Sequence, residues 1–379
     1  MILKNLKVLV FFMLASSSAW AGSGQLSVGA TYDGWNSNYA APAQDNGYEV
    51  FVPLSISFQI DPQLNIYSQG EFMTAADTYT SGGVNGTYNL SNFSDTVLGG
   101  ELNFKSFSLN SIANLAINIP TGDTTWNTKE QSSIVPTQFI DSRYSGRGLG
   151  FSAFYGLSLP EGRGEYSAGV GYLYSGAFNP SYGTVTTTTS LQLGDAVFLA
   201  LNRVTPFEND QNEIIRASVY QSFPTYSNGQ AYYQLGTNFN ASYDWNNPKA
   251  LSLEVGGQIY LPSAWSNNGG PLTTESHNSN GPRIYADSTY VFGDFSLMEQ
   301  IKYIFQNDYA VGDQYYNGGG FLVGIEPAYF FKMEGDSGLK VAADFDFVDA
   351  NNYGVDASGD VASVNFIMWT LATSYEIKL

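Results

Sequence analysis

The only histidine of the chain lies in HNSNG, residues 277–281. His277 and Ser279 are two positions apart. On a strand, residues i and i+2 share a face, so the imidazole could take the serine's proton and free a nucleophile. The surroundings argue against that chemistry. The pair sits in NNGGPLTTESHNSNGP, polar and glycine-rich, with Pro282 close behind. Nothing alternates there to build a strand, and a histidine in a solvated loop accounts for the same residues. A second candidate is acidic. Asn351, Asn352, Asp356 and Asp360 share one stretch, and Asp308 and Asp313 another. Oxygen donors of this kind suit calcium, but the spacing matches no calcium loop. No metal and no cofactor is expected.

A further set of charges sits in segments of period two. EVFVPLSISFQI (49–60) puts Val50, Val52, Leu54, Ile56, Phe58 and Ile60 on one face. GLKVAADFDFV (338–348) sets Leu339, Val341, Ala343, Phe345 and Phe347 against Lys340, Asp344 and Asp346. No helical spacing competes over any length. Carried through the chain, this parity gives a wet face with Glu71, Glu101, Arg216, Glu254, Asp287, Lys302, Glu326, Lys340, Asp344 and Asp346 as candidate pore-lining residues. Arg283, Lys332, Glu376 and Lys378 fall on the same face. Charges of both signs on one face imply a watery interior or internal ion pairs, because either costs several kcal/mol in hydrocarbon. Glu299 does not fit, falling beside apolar Leu297 and Ile301. Pro53 and Pro327 each remove a ladder donor and are expected to mark a bulge or kink.

The elements needed to position these residues number about sixteen, with fourteen as the alternative. They begin near residues 25, 49, 64, 93, 111, 148, 165, 190, 212, 231, 250, 283, 295, 320, 338 and 363. Connections alternate between long polar stretches and tight turns such as DPQ, PEGRG and Gly293-Asp294. The fold expected is all-β: a transmembrane up-and-down antiparallel β-barrel, with long loops outside and both termini periplasmic. The end of the chain, LATSYEIKL, alternates to its last residue and would close the barrel against the first strand.

Composition agrees. Residues 1–21 pair Lys4 and Lys7 with an apolar run and end in Ala19-Trp20-Ala21, the pattern of a cleaved signal peptide. Residues 22–379 form a single barrel domain. With Lys4 and Lys7 removed, thirteen basic residues face 34 acidic ones, which excludes nucleic acid and disfavours anionic substrates. There is no cysteine, so disulfides and lipoprotein anchoring are out. Only 13% of residues are charged against 15% aromatic, and no stretch after residue 21 is apolar enough for a helical span. A barrel in a Gram-negative outer membrane meets all of these, since alternation hides its apolarity.

The segment from Thr121 to Ser145 is the longest connection. With the residues just after it, TGDTTWNTKEQSSIVPTQFIDSRYSGRG (121–148), it holds Asp123, Lys129, Glu130, Asp141, Arg143 and Arg147, a mix of signs that would set a field across a constriction if it folded inward. Around it, LAINIPTGDTTWN, GRGLGFSAFYGLSL, GEYSAGVGYLYSG and LQLGDAVFLALNR resemble the outer-membrane family of meta-pathway phenol-degradation transporters. The matched positions are Pro120, Thr121, Gly122 and Asp123, then Gly194 and Asp195, over about a quarter of the chain. That resemblance implies a barrel for small, often apolar compounds. HNSNG is also similar to the core of outer-membrane phospholipases, but the arginine- and serine-rich stretch that follows in those enzymes is absent.

The function expected is a porin-like channel for passive diffusion of small solutes, with a mild cation preference and no enzymatic activity. The alternatives are an uptake channel for apolar or aromatic compounds and a phospholipase-like enzyme using His277 and Ser279. The partners expected are outer-membrane lipid and lipopolysaccharide, the barrel assembly machinery, small solutes and further copies of the chain; nucleic acid is not among them.

Overall fold

The computed structural model describes residues 23–38, 44–81, 84–122, 125–126, 148–179, 181–182, 185–186, 190–208, 210–234, 236–261, 264–265, 273–274, 282–311, 314–332, 338–355 and 361–378. They form a closed antiparallel barrel of sixteen strands. The strands are β1 (Ser23–Asn38), β2 (Gln44–Gln59), β3 (Leu64–Ser81), β4 (Val84–Phe93 and Thr96–Ser106), β5 (Leu109–Ile119), β6 (Gly150–Glu161), β7 (Gly164–Ser175) and β8 (Ala196–Pro206). Then follow β9 (Asn212–Ser222), β10 (Asn238–Asn246), β11 (Leu251–Tyr260), β12 (Arg283–Phe292), β13 (Phe295–Val311), β14 (Gln314–Lys332), β15 (Gly338–Val355) and β16 (Val361–Lys378). The two parts of β4 both pair with β3 and count as one strand broken at Ser94–Asp95.

Each strand pairs with its neighbours in the chain. The seam runs β1 to β16, from Gln25↔Lys378 to Asn38↔Asn365. The first and last strands therefore meet at one rim, the rim of the tight turns. One of those turns, Phe107–Ser108, has both residues at positive φ (51° and 70°), the twist that suits a two-residue hairpin. Lys249 and Asp210 join two neighbouring turns on this rim at 2.6 Å. The ammonium beside it holds the Asp210 carboxyl below its usual range.

Alternation fixes the two faces. On β11, Leu253, Val255 and Ile259 point outward, 38%, 40% and 57% exposed, while Ser252, Glu254 and Gln258 point in. The same outward band continues through Leu115 and Ile117, Leu199 and Leu201, Val323 and Ile325, and Ile367 and Leu371.

The wall is uneven in height. Strands β13 to β16 and β1 to β3 run 16 to 19 residues. Strands β5 to β12 run 9 to 12. Above the lower wall lies a separate ladder of six short pieces, including Leu191–Gln192, Thr225–Ser227 and Gln230–Gln234. This corrects two expectations. The strands expected from residues 190 and 231 enter the barrel only at Ala196 and Asn238, and the residues before them belong to the upper ladder. Much of the stretches read as long loops after residues 33 and 78 is strand: Asp33–Asn38 pairs with Gln44–Glu49, and Thr78–Ser81 with Val84–Thr87. Polar strand carries no apolar stripe, so period two does not betray it.

The prolines behave better than expected. Pro53 stays paired with Glu71 and Pro327 with Leu297, while on the other side of each proline the pairing lapses for two residues and resumes in the same register, a lost donor without a bulge. The register breaks lie instead at Ser94–Asp95, between Ile304 and Asn307, and between Ala350 and Gly354. No bulge relieves Glu299. It opposes Ser288 and Ile325, stays exposed on the outward face, and accepts a hydrogen bond of 3.4 Å from the Ser288 hydroxyl.

Candidate functional site

All ten pore-lining candidates fall on the inner face by register, Glu71 on β3, Glu101 on β4 and the rest on β9 to β15. The carboxylates form two adjoining rows running across the strands. In the first, Asp244 pairs with Glu254, Glu254 with Asp287, Asp287 with Gln300, Gln300 with Gly324, and Gly324 with Asp346. The Asp346 carboxylate lies across Gly324, in space that any Cβ there would take from it. One step toward the tight-turn rim, Glu326 and Asp344 lie level on neighbouring strands. Asp344 then pairs with Thr370, Thr370 with Asp33, and Asp33 with Glu49. These eight acids cover β10 to β16, β1 and β2.

Bases answer only part of this. Arg216 meets Asp244 at 3.2 Å and Glu254 at 3.8 Å, and Lys340 meets Glu326 at 3.3 Å. Tyr285 donates to Glu254 at 3.0 Å and Thr370 to Asp33 at 2.6 Å. The side chains of Arg216 and Lys340 are 44% and 50% exposed, so this stretch of lumen is open to water. Toward the long-loop rim the inner face turns apolar: Ile304, Leu322 and Val348 face inward and are buried.

The opposite wall, β5 to β8, is built differently. Its inner face carries Asn114, Ala116, Ser152, Phe154, Ser167, Gly169, Gly171, Phe198 and Asn202. Phe154 and Phe198 stack with ring centroids 5.8 Å apart and planes 8° from parallel. They can lie flat because Gly169 and Gly171 sit beneath them, where any Cβ would overlap the rings. Gly171→Val is expected to cost about 1–3 kcal/mol by overpacking. It should lower the denaturant midpoint of the refolded barrel, and Phe198→Ala in the same chain should restore part of the loss. No change in midpoint would mean the ring has another place to go.

Asp33, Glu49 and Asp244 were not among the expected lumen residues. Asp33 lies in a stretch read as loop, Glu49 at a strand boundary, and Asp244 beside a turn. Alternation with Tyr243 and Trp245 was the available signal for the last. The six constriction candidates, Asp123, Lys129, Glu130, Asp141, Arg143 and Arg147, lie outside the described residues, as do His277 and Ser279. Within that long connection, Thr125–Trp126 pairs in parallel with Ser181–Tyr182 from the loop after β7. The remaining positions of the family resemblance act at strand ends. Gly122 donates its N–H to Asp95 at 3.1 Å, and Asp95 also accepts from Asn118 at 2.7 Å. Asp195, just before β8, accepts from the Tyr172 hydroxyl at 2.6 Å and the Ser175 amide at 3.0 Å. Among the described residues no group of three or more histidines and acids could hold a metal ion.

The fold and lumen together define a closed sixteen-stranded barrel with a polar interior and an apolar exterior. No protein-family model and no curated protein matches the chain. Among the solved structures it is similar to are three proteins of Pseudomonas aeruginosa. OpdQ is 12% identical with a TM-score of 0.47, the match covering 94% of this chain and 98% of that one. OccK11 (OpdR) is 8% identical at 0.47, covering 94% and 96%. The outer membrane protein opdK is 8% identical at 0.47, covering 94% and 99%. Values this low say nothing about what this chain carries.

Proposed function

We propose that the chain is a diffusion channel of the Gram-negative outer membrane that passes small solutes and prefers cations. The observation that carries this is the double row of eight lumen carboxylates, answered on that wall by Arg216, Arg283, Lys302 and Lys340. Fixed negative charge in a narrow aqueous path concentrates cations and repels anions. The membrane part of the reading rests on the outward belt. A soluble barrel would not leave so continuous an apolar surface bare, and in hydrocarbon only a closed barrel or a helix satisfies the backbone. Residues 1–21 would serve as the export signal and the tight turns would face the periplasm.

A second reading has one observation of its own. The buried inward patch of Ile304, Leu322 and Val348 gives the lumen an apolar stretch, which would suit slow passage of apolar compounds. Refolded protein in a planar bilayer separates the two. Fixed conductance steps with a cation-selective reversal potential in a salt gradient are expected. Silence from a correctly folded barrel would overturn the open channel and favour apolar uptake.

A further inference from the structure

We infer that the outward face over β6 to β9 holds one phospholipid at the tight-turn rim, an acyl chain in an apolar groove and its headgroup on Arg203 and Glu213. The inference rests on the membrane reading above. The groove has a volume of about 480 Å³ and is walled by Leu157, Leu159, Tyr166, Leu201 and Ile215. It exists because Ala168 and Ala217 set only methyl groups between these longer side chains. Arg203 closes one end. Its guanidinium carbon lies 5.5 Å from the centre of the Tyr166 ring, which holds the cation in place without neutralising it.

The level of Arg203 says what it meets. β8 ends three residues later at Pro206, followed by exposed Phe207 at the rim. The cation thus stands at the edge of the apolar belt, where headgroup phosphates lie. Glu213 is one outward step nearer the rim on the neighbouring strand, opposite Thr205, while Ile215 opposes Arg203. A cation followed by an anion toward water matches the order of phosphate and ammonium in an aminoalkyl phospholipid. A single cation beside a single groove is a poor match for a glycolipid with several phosphates and many chains.

The test uses full-length barrel whose unheated band resists SDS. It is released into mild detergent, mixed with equal amounts of phosphatidylethanolamine and phosphatidylglycerol of the same acyl chains, and read by native mass spectrometry. A single phosphatidylethanolamine adduct is expected on the wild type. Arg203→Gln should reduce it at least about fivefold, and Ala168→Phe with Ala217→Phe, which fills the groove, should remove it. Glu213→Gln should abolish the preference over phosphatidylglycerol. All four substituted positions face outward, so the variants should keep the SDS-resistant band. Equal adducts on the wild type and Arg203→Gln would overturn the site, as would a dimer mass replacing the lipid adduct. Failure to obtain any SDS-resistant band would defeat the membrane reading itself, and the inference with it.

Discussion

Asp287→Asn, Asp344→Asn and Asp346→Asn in one chain should cut the cation-to-anion permeability ratio about sevenfold. Each carboxylate acts on an ion about 8 Å away with roughly 0.5 kcal/mol in a water-like dielectric. Three of them give about 1.5 kcal/mol, and screening over one Debye length leaves about 0.6 kcal/mol. The contrast between a cation and an anion doubles that. Asparagine keeps the shape of each side chain, so the conductance pathway stays in place while its charge is lost. The measurement is the reversal potential across a salt gradient, wild type against triple variant, at two ionic strengths. The difference should shrink as salt rises. An unchanged reversal potential at low salt would show that permeating ions do not pass these rows.

Removing residues 371–379 should abolish the folded barrel. In register, Leu371 to Lys378 oppose Tyr32 to Gln25 across the seam. Their loss strips the lower half of β1 of one partner and leaves β15 unpaired from Gly338 to Ala343 on the same side. In an apolar medium each backbone group without a partner costs several kcal/mol, and a run of them exceeds any ordinary domain stability. The truncated chain should run at its fully denatured position on SDS gels with or without heating, and external protease should digest it throughout. A heat-modifiable band from the truncated chain would mean that the seam can re-register.

The barrel was legible because the period of its strands is short and strict. Each of the sixteen strands carries an alternating core, and strands such as Leu251–Tyr260 show it without a break. The charges that parity grouped together also share one face of the barrel by register, for a physical reason. The three register breaks lie on the long-loop side of the acid rows, beyond Val97, Lys302 and Asp346, so no bulge intervenes to invert them. What escaped was structure without an apolar signal. The upper parts of β1 to β4 are mostly polar in sequence at both parities, and their pairing comes from backbone hydrogen bonds that side-chain chemistry does not announce. Asp33 was hidden for that reason. The aromatic wall escaped too, because Gly169 under Phe154 is a relation across strands that no reading along one strand contains.

The two heights of the wall have a mechanical consequence. Strands β13 to β3 run 16 to 19 residues and pair along most of that length, with register shifts between Ile304 and Asn307 and between Ala350 and Gly354, so opening them means unzipping long ladders. The upper ladder over β7 to β11 is a separate sheet of pieces two to five residues long, and among the described residues it shares no strand pairing with the barrel; side-chain bonds such as Gln192 to the Ser175 carbonyl and Gln234 to the Ser222 carbonyl tie it down. Local opening free energy follows the number of bonds that must break together. One half of the mouth is thus welded and the other half hinged. The hinged half can swing or unfold while the ring of strands below it keeps every hydrogen bond it has.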